Sequence, residues 1–98
     1  MEKRTAHYPL TAVRAAIEEK RYRFTHSARV GALALGLDAQ GALAVVASLQ
    51  RADLYKSMTT HADHRIWQDV YHADTPGGRA YIKLTLHNGL LVVSFKEL

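Results

Sequence analysis

The stretch from Arg79 to Lys96 constrains the fold more than any other part of the sequence. Polar and apolar residues alternate from Arg79 to His87, as expected for a strand with one buried face. Asn88-Gly89 follows, which is the dipeptide most typical of a tight hairpin turn, and a second apolar strand runs from Leu90 to Lys96. A slip of one residue would turn the apolar side outward, so the sequence predicts an antiparallel hairpin of defined register.

A two-residue loop at Asn88-Gly89 fixes which residues face each other across this hairpin. The polar face then pairs Tyr81 with Lys96, Lys83 with Ser94, Thr85 with Val92 and His87 with Leu90. The apolar face pairs Ile82 with Phe95, Leu84 with Val93 and Leu86 with Leu91. We therefore expect a polar cluster that contains Tyr81, Lys83, Ser94 and Lys96.

Two more strands are predicted before this hairpin, over residues 53–60 and 66–72. A loop over residues 75–78 would place Asp74 opposite Arg79 and His72 opposite Tyr81. Gln68 would then lie on the polar face, with Trp67 and Tyr71 on the core side. The parity of the strand over 53–60 is ambiguous, so the pattern leaves open whether Lys56 points to the polar face.

The N-terminal half is predicted to be helical. Leu10, Val13, Ala16 and Ile17 follow the spacing of an amphipathic helix that has Pro9 in its first turn. A second helix is expected to begin after Thr25 or Ser27 and to stop at Gly36. Asp38 can cap a third helix, whose apolar stripe is Leu43, Val45, Val46 and Leu49. Helices followed by strands predict a single α+β domain over residues 1–98, with helices on one face of a mostly antiparallel sheet.

The composition limits the possible functions. The 98 residues carry a formal charge of +4 and no cysteine, so disulfides, cysteine-ligated zinc and thiol catalysis are excluded. No apolar run approaches the length of a membrane span, and the charged start does not resemble a signal peptide, so we expect a cytoplasmic protein. The positive charge favours polyanionic partners such as nucleic acid.

The segment from Leu54 to His72 raises several chemical hypotheses. His61 and His64 with Asp63 could suggest a metal, but this spacing on a loop defines no ligand geometry, and exposed turn residues are the simpler reading. The spacing of Asp53, Asp63, Asp69 and Asp74 is not distinctive of a glycosidase carboxylate pair, and no nucleophile-elbow motif occurs. Metal-free RNA cleavage, which needs a base, an acid and a cation at the phosphate, fits the polar side chains better.

The block "YKSMTT-x-x-DH-x-IWQDVY" at residues 55–71, the ending "VSFKE" and the opening "MEKRT" resemble the MqsR family of motility quorum-sensing regulator toxins. The resemblance covers essentially the whole chain. It implies a RelE-like ribonuclease fold and a type II toxin that cuts single-stranded mRNA at GC-containing triplets, without a metal, a cofactor or the ribosome. The expected product is a 2′,3′-cyclic phosphate. The expected consequences are growth arrest and links to persistence and biofilm formation.

The resemblance also implies partners and site residues. The partner would be a cognate antitoxin with zinc-binding and helix-turn-helix domains, and promoter DNA would be bound only through the toxin–antitoxin complex. The family's functional residues fall on Lys56, Gln68, Tyr81 and Lys96, of which the last two were already paired by the hairpin register. Arg79, Lys83 and Ser94 are expected to contact RNA. The alternative is a non-catalytic module that binds RNA or docks on an antitoxin to regulate transcription.

Overall fold

The computed structural model describes all 98 residues. Three helices and six strands alternate irregularly along the chain, with a short 3₁₀ turn at Arg51–Asp53. Their order is β1 (Glu2–Lys3), α1 (Leu10–Glu18), β2 (Tyr22–Phe24), α2 (His26–Ala34), α3 (Ala39–Ala47), β3 (Leu54–Thr59), β4 (Trp67–Thr75), β5 (Gly78–Leu86) and β6 (Leu90–Glu97).

All six strands form one sheet in the order β1-β3-β4-β5-β6-β2. Every pair is antiparallel except β2 and β6, which are parallel. The three helices pack on one face, so the predicted α+β class is confirmed and agrees with a RelE-like fold. The two short outer strands β1 and β2 were not predicted, because strands of two and three residues carry too little sequence pattern.

The helix signals act as predicted. Thr25 precedes α2 and its Oγ1 accepts a hydrogen bond from Ala28 N at 3.1 Å, and Asp38 Oδ1 accepts one from Gly41 N at 2.8 Å at the start of α3. Gly36 follows α2 with a φ of +79°, the left-handed conformation expected of a C-terminal glycine. Pro9 lies just before α1 rather than within its first turn.

Close packing of α2 on β6 closes the core. A Cβ atom at Gly31 would lie only 1.8 Å from the carbonyl oxygen of Phe95, so only glycine permits this approach of helix to strand. The core beneath is apolar, and its largest fully buried side chains include Tyr71, Ile82, Leu84 and Phe95.

The β5–β6 register agrees with the prediction at its far end and differs near the turn. Tyr81 faces Lys96, and Lys83 faces Ser94, as predicted. The predicted two-residue loop is wrong, because Leu86 pairs with Leu90 and the loop holds three residues. A bulge at Val93 then restores the predicted pairing, and the Val93 carbonyl accepts a hydrogen bond from Thr25 Oγ1 at 2.7 Å.

This shift changes the pairing on both faces near the turn. Leu84 pairs with Val92 instead of Val93, and Thr85 pairs with Leu91 instead of Val92. Thr85 is buried rather than exposed, and its hydroxyl donates to the Trp67 carbonyl oxygen at 2.8 Å. The extra turn residue and the bulge offset each other, which is why the pairing of Tyr81 with Lys96 survives.

The N-terminal segment is held on β4 by a buried carboxylate. Asp69 is fully buried and accepts hydrogen bonds from the backbone N–H groups of His7 and Tyr8 and from the Ser57 hydroxyl. Trp67 was predicted to be a core residue, but it is half-buried and stacks on the His7 ring at 5.2 Å. The indole is covered by this segment because no helix reaches the start of β4.

The helices are short for a membrane. None of them is long and apolar enough to cross a bilayer alone. Only α2 and α3 taken together have the length and apolar composition of a span, and these two helices meet at 90°.

Candidate active site

The sheet surface opposite the helices, called here the outer face, carries the predicted site residues. Its two central rows follow directly from strand pairing. In the first row Lys56 faces Val70, Val70 faces Lys83, and Lys83 faces Ser94. In the second row His72 faces Tyr81, which faces Lys96. Paired residues point to the same side of a sheet, so three lysines and a phenol share one open surface.

A bulge in β3 decides the question that the sequence left open about Lys56. Leu54 pairs with Tyr71 and Lys56 with Val70, so Tyr55 is the extra residue between them. Leu54 packs against the core, whereas Tyr55 and Lys56 both reach the outer face. This placement brings Lys56 to the same surface as Gln68, Tyr81 and Lys96.

The three lysines differ in their electrostatic surroundings. Partial burial, followed by repulsion from Lys96 and Lys56, lowers the pKa of Lys83 below 10.5. The pKa of Lys56 is instead raised, because its Nζ donates a hydrogen bond to Glu2 Oε2 at 2.8 Å. The same bond lowers the pKa of the Glu2 carboxyl below 4.5. Lys56 is therefore the firmly protonated lysine and Lys83 the one that gives up its proton more readily.

Aromatic rings and cations form a continuous array across four strands of this face. Tyr55 stacks on His72 with ring centroids 4.3 Å apart, and His72 lies 5.9 Å from Tyr81 in a tilted arrangement. Lys96 Nζ lies 5.0 Å from the Tyr81 ring centroid, and the Arg4 guanidinium lies 5.7 Å from that of Tyr55. Such an array suits single-stranded nucleic acid, whose bases stack on aromatic rings while cations contact phosphates.

Gln68 lies on the outer face two positions before Val70 in β4, on the side away from His72. It pairs with Met58 and lines an open cavity of about 410 Å³. Glu2, His61 and Lys83 also line this cavity. Gln68 is thus within the same polar surface as Lys83, but it lies outside the aromatic array.

Arg79 lies near the start of β5 and is held in an ion pair. It pairs with Asp74, as the sequence predicted, and its Nη1 donates to Asp74 Oδ1 at 2.9 Å. The guanidinium is therefore held at the exposed end of β5, near the Pro76-Gly77 turn. Ser94 is half-buried beside Lys83, and His64 lies on the exposed loop between β3 and β4. No group of three or more His, Asp or Glu side chains is placed to hold a metal ion.

Sequence reasoning missed three contributors to the outer face. Tyr55 was missed because its direction depends on a bulge, which has no signal in a single sequence. Arg4 and Glu2 belong to the unpredicted N-terminal segment. His72 had been placed opposite Tyr81, and the structure adds that its ring joins Tyr55 to Tyr81.

Two comparisons with known proteins agree with these features. The family model described as "Motility quorum-sensing regulator, toxin of MqsA" matches residues 5–97. A protein of Escherichia coli (strain K12) named "mRNA interferase toxin MqsR" is 46% identical over 97 residues, which covers 99% of each chain. Both matches include the helices and the outer-face positions of Lys56, Gln68, Tyr81 and Lys96.

Proposed function

Because the chain belongs to the motility quorum-sensing regulator toxin family, we propose that it is an endoribonuclease that cuts mRNA on the outer face. The observation that carries this proposal is the group of Lys56, Lys83 and Lys96, called here the lysine cluster, beside the Tyr55–His72–Tyr81 array. Three ammonium groups suit the charge that grows on a phosphate during cleavage. The stacked rings suit the bases of a single strand, which fits a messenger substrate.

The reaction we propose is an intramolecular transfer. A general base takes the proton of a ribose 2′-hydroxyl, and the oxygen attacks the neighbouring phosphorus. The bond from phosphorus to the 5′-oxygen of the next nucleotide breaks, and a general acid gives that oxygen a proton. The products are a 2′,3′-cyclic phosphate and a free 5′-hydroxyl, so no water and no redox partner is consumed. Every step uses groups found on this face.

The environments of the side chains suggest separate roles for them. We assign Lys56 to the phosphate as a permanent cation, because Glu2 keeps its pKa high. Lys83 is the lysine best suited to accept a proton, because burial and two neighbouring ammonium groups lower its pKa. We assign Tyr81 and Lys96 to the leaving oxygen, since Lys96 Nζ lies 5.0 Å from the Tyr81 ring centroid. Gln68, Ser94 and Arg79 would bind and orient the strand.

The finer features come from the family resemblance. We propose cleavage at GC-containing triplets in single-stranded regions, without a metal or the ribosome. We propose that the protein acts in the cytoplasm and that its partner is a cognate antitoxin with zinc-binding and helix-turn-helix domains. Promoter DNA would be a target of the complex only. Growth arrest is then the expected effect of the free toxin.

Mapping of RNA ends tests this proposal directly. Purified protein should cut a structureless RNA in EDTA and leave cyclic phosphates at fixed triplets. Lys96→Ala should lower the rate constant by about a hundredfold or more, as for loss of a group that stabilises transition-state charge. Lys20→Ala removes the same charge from the exposed turn after α1 and should leave cleavage unchanged.

The contrary outcomes are distinct. RNA that is bound in a salt-dependent manner but never cut would support the non-catalytic alternative. Cutting that stops in EDTA would contradict the metal-free reaction. Cutting that is unaffected by Lys96→Ala would move the reaction away from the outer face.

A further inference from the structure

We infer that the cavity between the start of α1 and the 3₁₀ turn is a second RNA subsite, which binds a nucleotide beside the cleaved bond. The inference rests on the proposed ribonuclease function. This cavity, called here the arginine cavity, has a volume of about 910 Å³ and is the largest in the molecule. It is separate from the Gln68 cavity on the outer face.

Its charge favours a phosphate. Arg4, Arg14 and Arg51 line the arginine cavity, and no Asp or Glu is among its lining residues. None of these guanidinium groups takes part in any of the four ion pairs of the structure. Asp69 and Asp53 lie close enough to contribute to the raised pKa of Tyr71, but neither lines the cavity, and the three arginines outside any ion pair give it a positive potential that attracts anions.

The first turn of α1 adds hydrogen-bond donors to this potential. Pro9 precedes the helix and supplies no side-chain cap, whereas α2 and α3 are capped by Thr25 and Asp38. Leu10 and Thr11 line the cavity, and their backbone N–H groups have no intrahelical partner. Uncapped N–H groups at a helix start bind phosphate well.

The Tyr71 hydroxyl gives an independent sign of a ligand: no fully buried side-chain polar atom of the structure lacks a hydrogen-bond partner, so this unpartnered hydroxyl must reach the cavity that Tyr71 lines. Tyr71 is only 1% exposed and lines the cavity, yet its hydroxyl forms no hydrogen bond with any protein group. Burial raises its pKa to about 12, so the hydroxyl stays protonated and available as a donor. Leu49 and Leu54 supply apolar wall beside it. A phenol hydroxyl with apolar neighbours suits a base ring, just as the guanidinium groups suit a phosphate.

The arginine cavity adjoins the outer face through three consecutive residues. Leu54 lines the cavity, Tyr55 belongs to the aromatic array and Lys56 belongs to the lysine cluster. Two residue steps span at most about 7 Å. Arg4 also lines the cavity while its guanidinium lies 5.7 Å from the Tyr55 ring. One RNA strand can therefore contact both, which favours a substrate nucleotide over an acidic peptide.

The test compares RNA lengths with the Arg14→Ala/Arg51→Ala variant. One RNA contains only the cleaved triplet, and the others extend it on the 5′ or the 3′ side. We expect KM for one extended RNA to rise about tenfold, with kcat unchanged, while the triplet is cut normally. The slope of log affinity against log salt for an uncleavable 2′-O-methyl RNA of that length should fall by about 1.4, since two phosphate contacts are lost.

Two matched variants complete the experiment. Arg23→Ala/Arg29→Ala removes the same charge from β2 and α2, at the opposite edge of the sheet. This variant should change KM and kcat for neither the triplet nor the extended RNA. Tyr71→Phe keeps the buried ring but removes the hydroxyl, and should weaken binding of the extended uncleavable RNA several-fold. Circular dichroism and thermal unfolding would show that the variants remain folded.

Three results would overturn the inference. If Arg14→Ala/Arg51→Ala raised KM equally for the triplet and the extended RNA, the arginines would act only through their general charge. A free nucleoside monophosphate that binds in the cavity without competing with RNA would identify a different ligand. Weaker antitoxin binding with unchanged RNA binding would assign the surface to protein. If wild type cuts no RNA, the length dependence of uncleavable RNA binding still decides the subsite.

Discussion

The two faces of the same four strands contrast sharply in what they do for the protein. The helix side is apolar at Ile82, Leu84 and Phe95, all essentially unexposed. On the outer face, partial burial and then repulsion from Lys96 and Lys56 lower the pKa of Lys83. The period of two in a strand lets neighbouring residues serve opposite demands. One face therefore stabilises the fold, and the other concentrates like charges at a cost in stability, which is typical of functional sites.

The largest expected effect is on the helix side. Phe95→Ala should lower the free energy of unfolding by about 3–5 kcal/mol, since it removes a buried aromatic ring and leaves a cavity. Urea titration followed by circular dichroism measures this change. Leu33→Ala, which truncates an exposed side chain, is the matched control and should change stability little. Equal stability of Phe95→Ala and wild type would contradict the assignment of this face to the core.

The next largest effect is on the outer face and concerns activity alone. Tyr81→Phe should lower the cleavage rate constant by about a hundredfold or more if the hydroxyl transfers a proton. Its unfolding midpoint should stay close to that of wild type, because Tyr81 is half-exposed. Tyr22→Phe on β2 is the control. A variant that cuts normally would limit Tyr81 to stacking, and a variant that unfolds early would make its role structural.

The contrast between the faces also explains how far sequence reasoning reached. Alternation predicted the pairing of Tyr81 with Lys96, because a register with one apolar face has a strong energetic preference. The bulges at Tyr55 and Val93 could not be predicted, since each depends on contacts from distant segments, such as Thr25 on the Val93 carbonyl. For that reason, the sequence could not show which face of the sheet Lys56 points to.

The N-terminal segment was the other gap. Its residues carry no periodic pattern, and their position depends on Asp69, which holds the backbone of His7 and Tyr8 through buried hydrogen bonds. Nothing in the local sequence shows that an aspartate in β4 will bind a segment some sixty positions earlier. This tertiary contact brings Arg4 to Tyr55 and β1 to the edge of β3.

A smaller effect should show the cost of concentrated charge. Lys83→Gln should raise the stability slightly, since it removes a partly buried charge and the repulsion of that charge by Lys96 and Lys56, while it slows RNA cleavage. In wild type the folded protein loses the Lys83 proton more readily than the unfolded chain, so the Lys83 contribution to stability should rise with pH as pH passes from the lowered pKa to 10.5. Chemical unfolding between pH 8 and 10.5 measures this slope, which should weaken in Lys83→Gln. A less stable variant at every pH would contradict the proposed repulsion.

The smallest effect should come from Glu2→Gln, which tests how the N-terminal strand tunes this face. The Glu2–Lys56 bond stabilises the fold above the ordinary carboxyl pKa of 4.5 and is lost as pH falls through the lowered value. At the other end it is present below 10.5 and is lost as pH rises through the raised pKa of Lys56. Glu2 is exposed and Lys56 is only partly buried, so the stability change should be slight and should weaken in high salt.

Activity is the sharper readout of Glu2→Gln. Lys56 should lose its proton at a lower pH in this variant, so the alkaline limb of the pH–rate profile should move to lower pH. RNA binding at low salt should tighten, since the substrate phosphate no longer competes with an internal carboxylate. Glu97→Gln, at the exposed end of β6, removes one negative charge as the control. An alkaline limb that does not move would mean that the protonation of Lys56 does not limit cleavage.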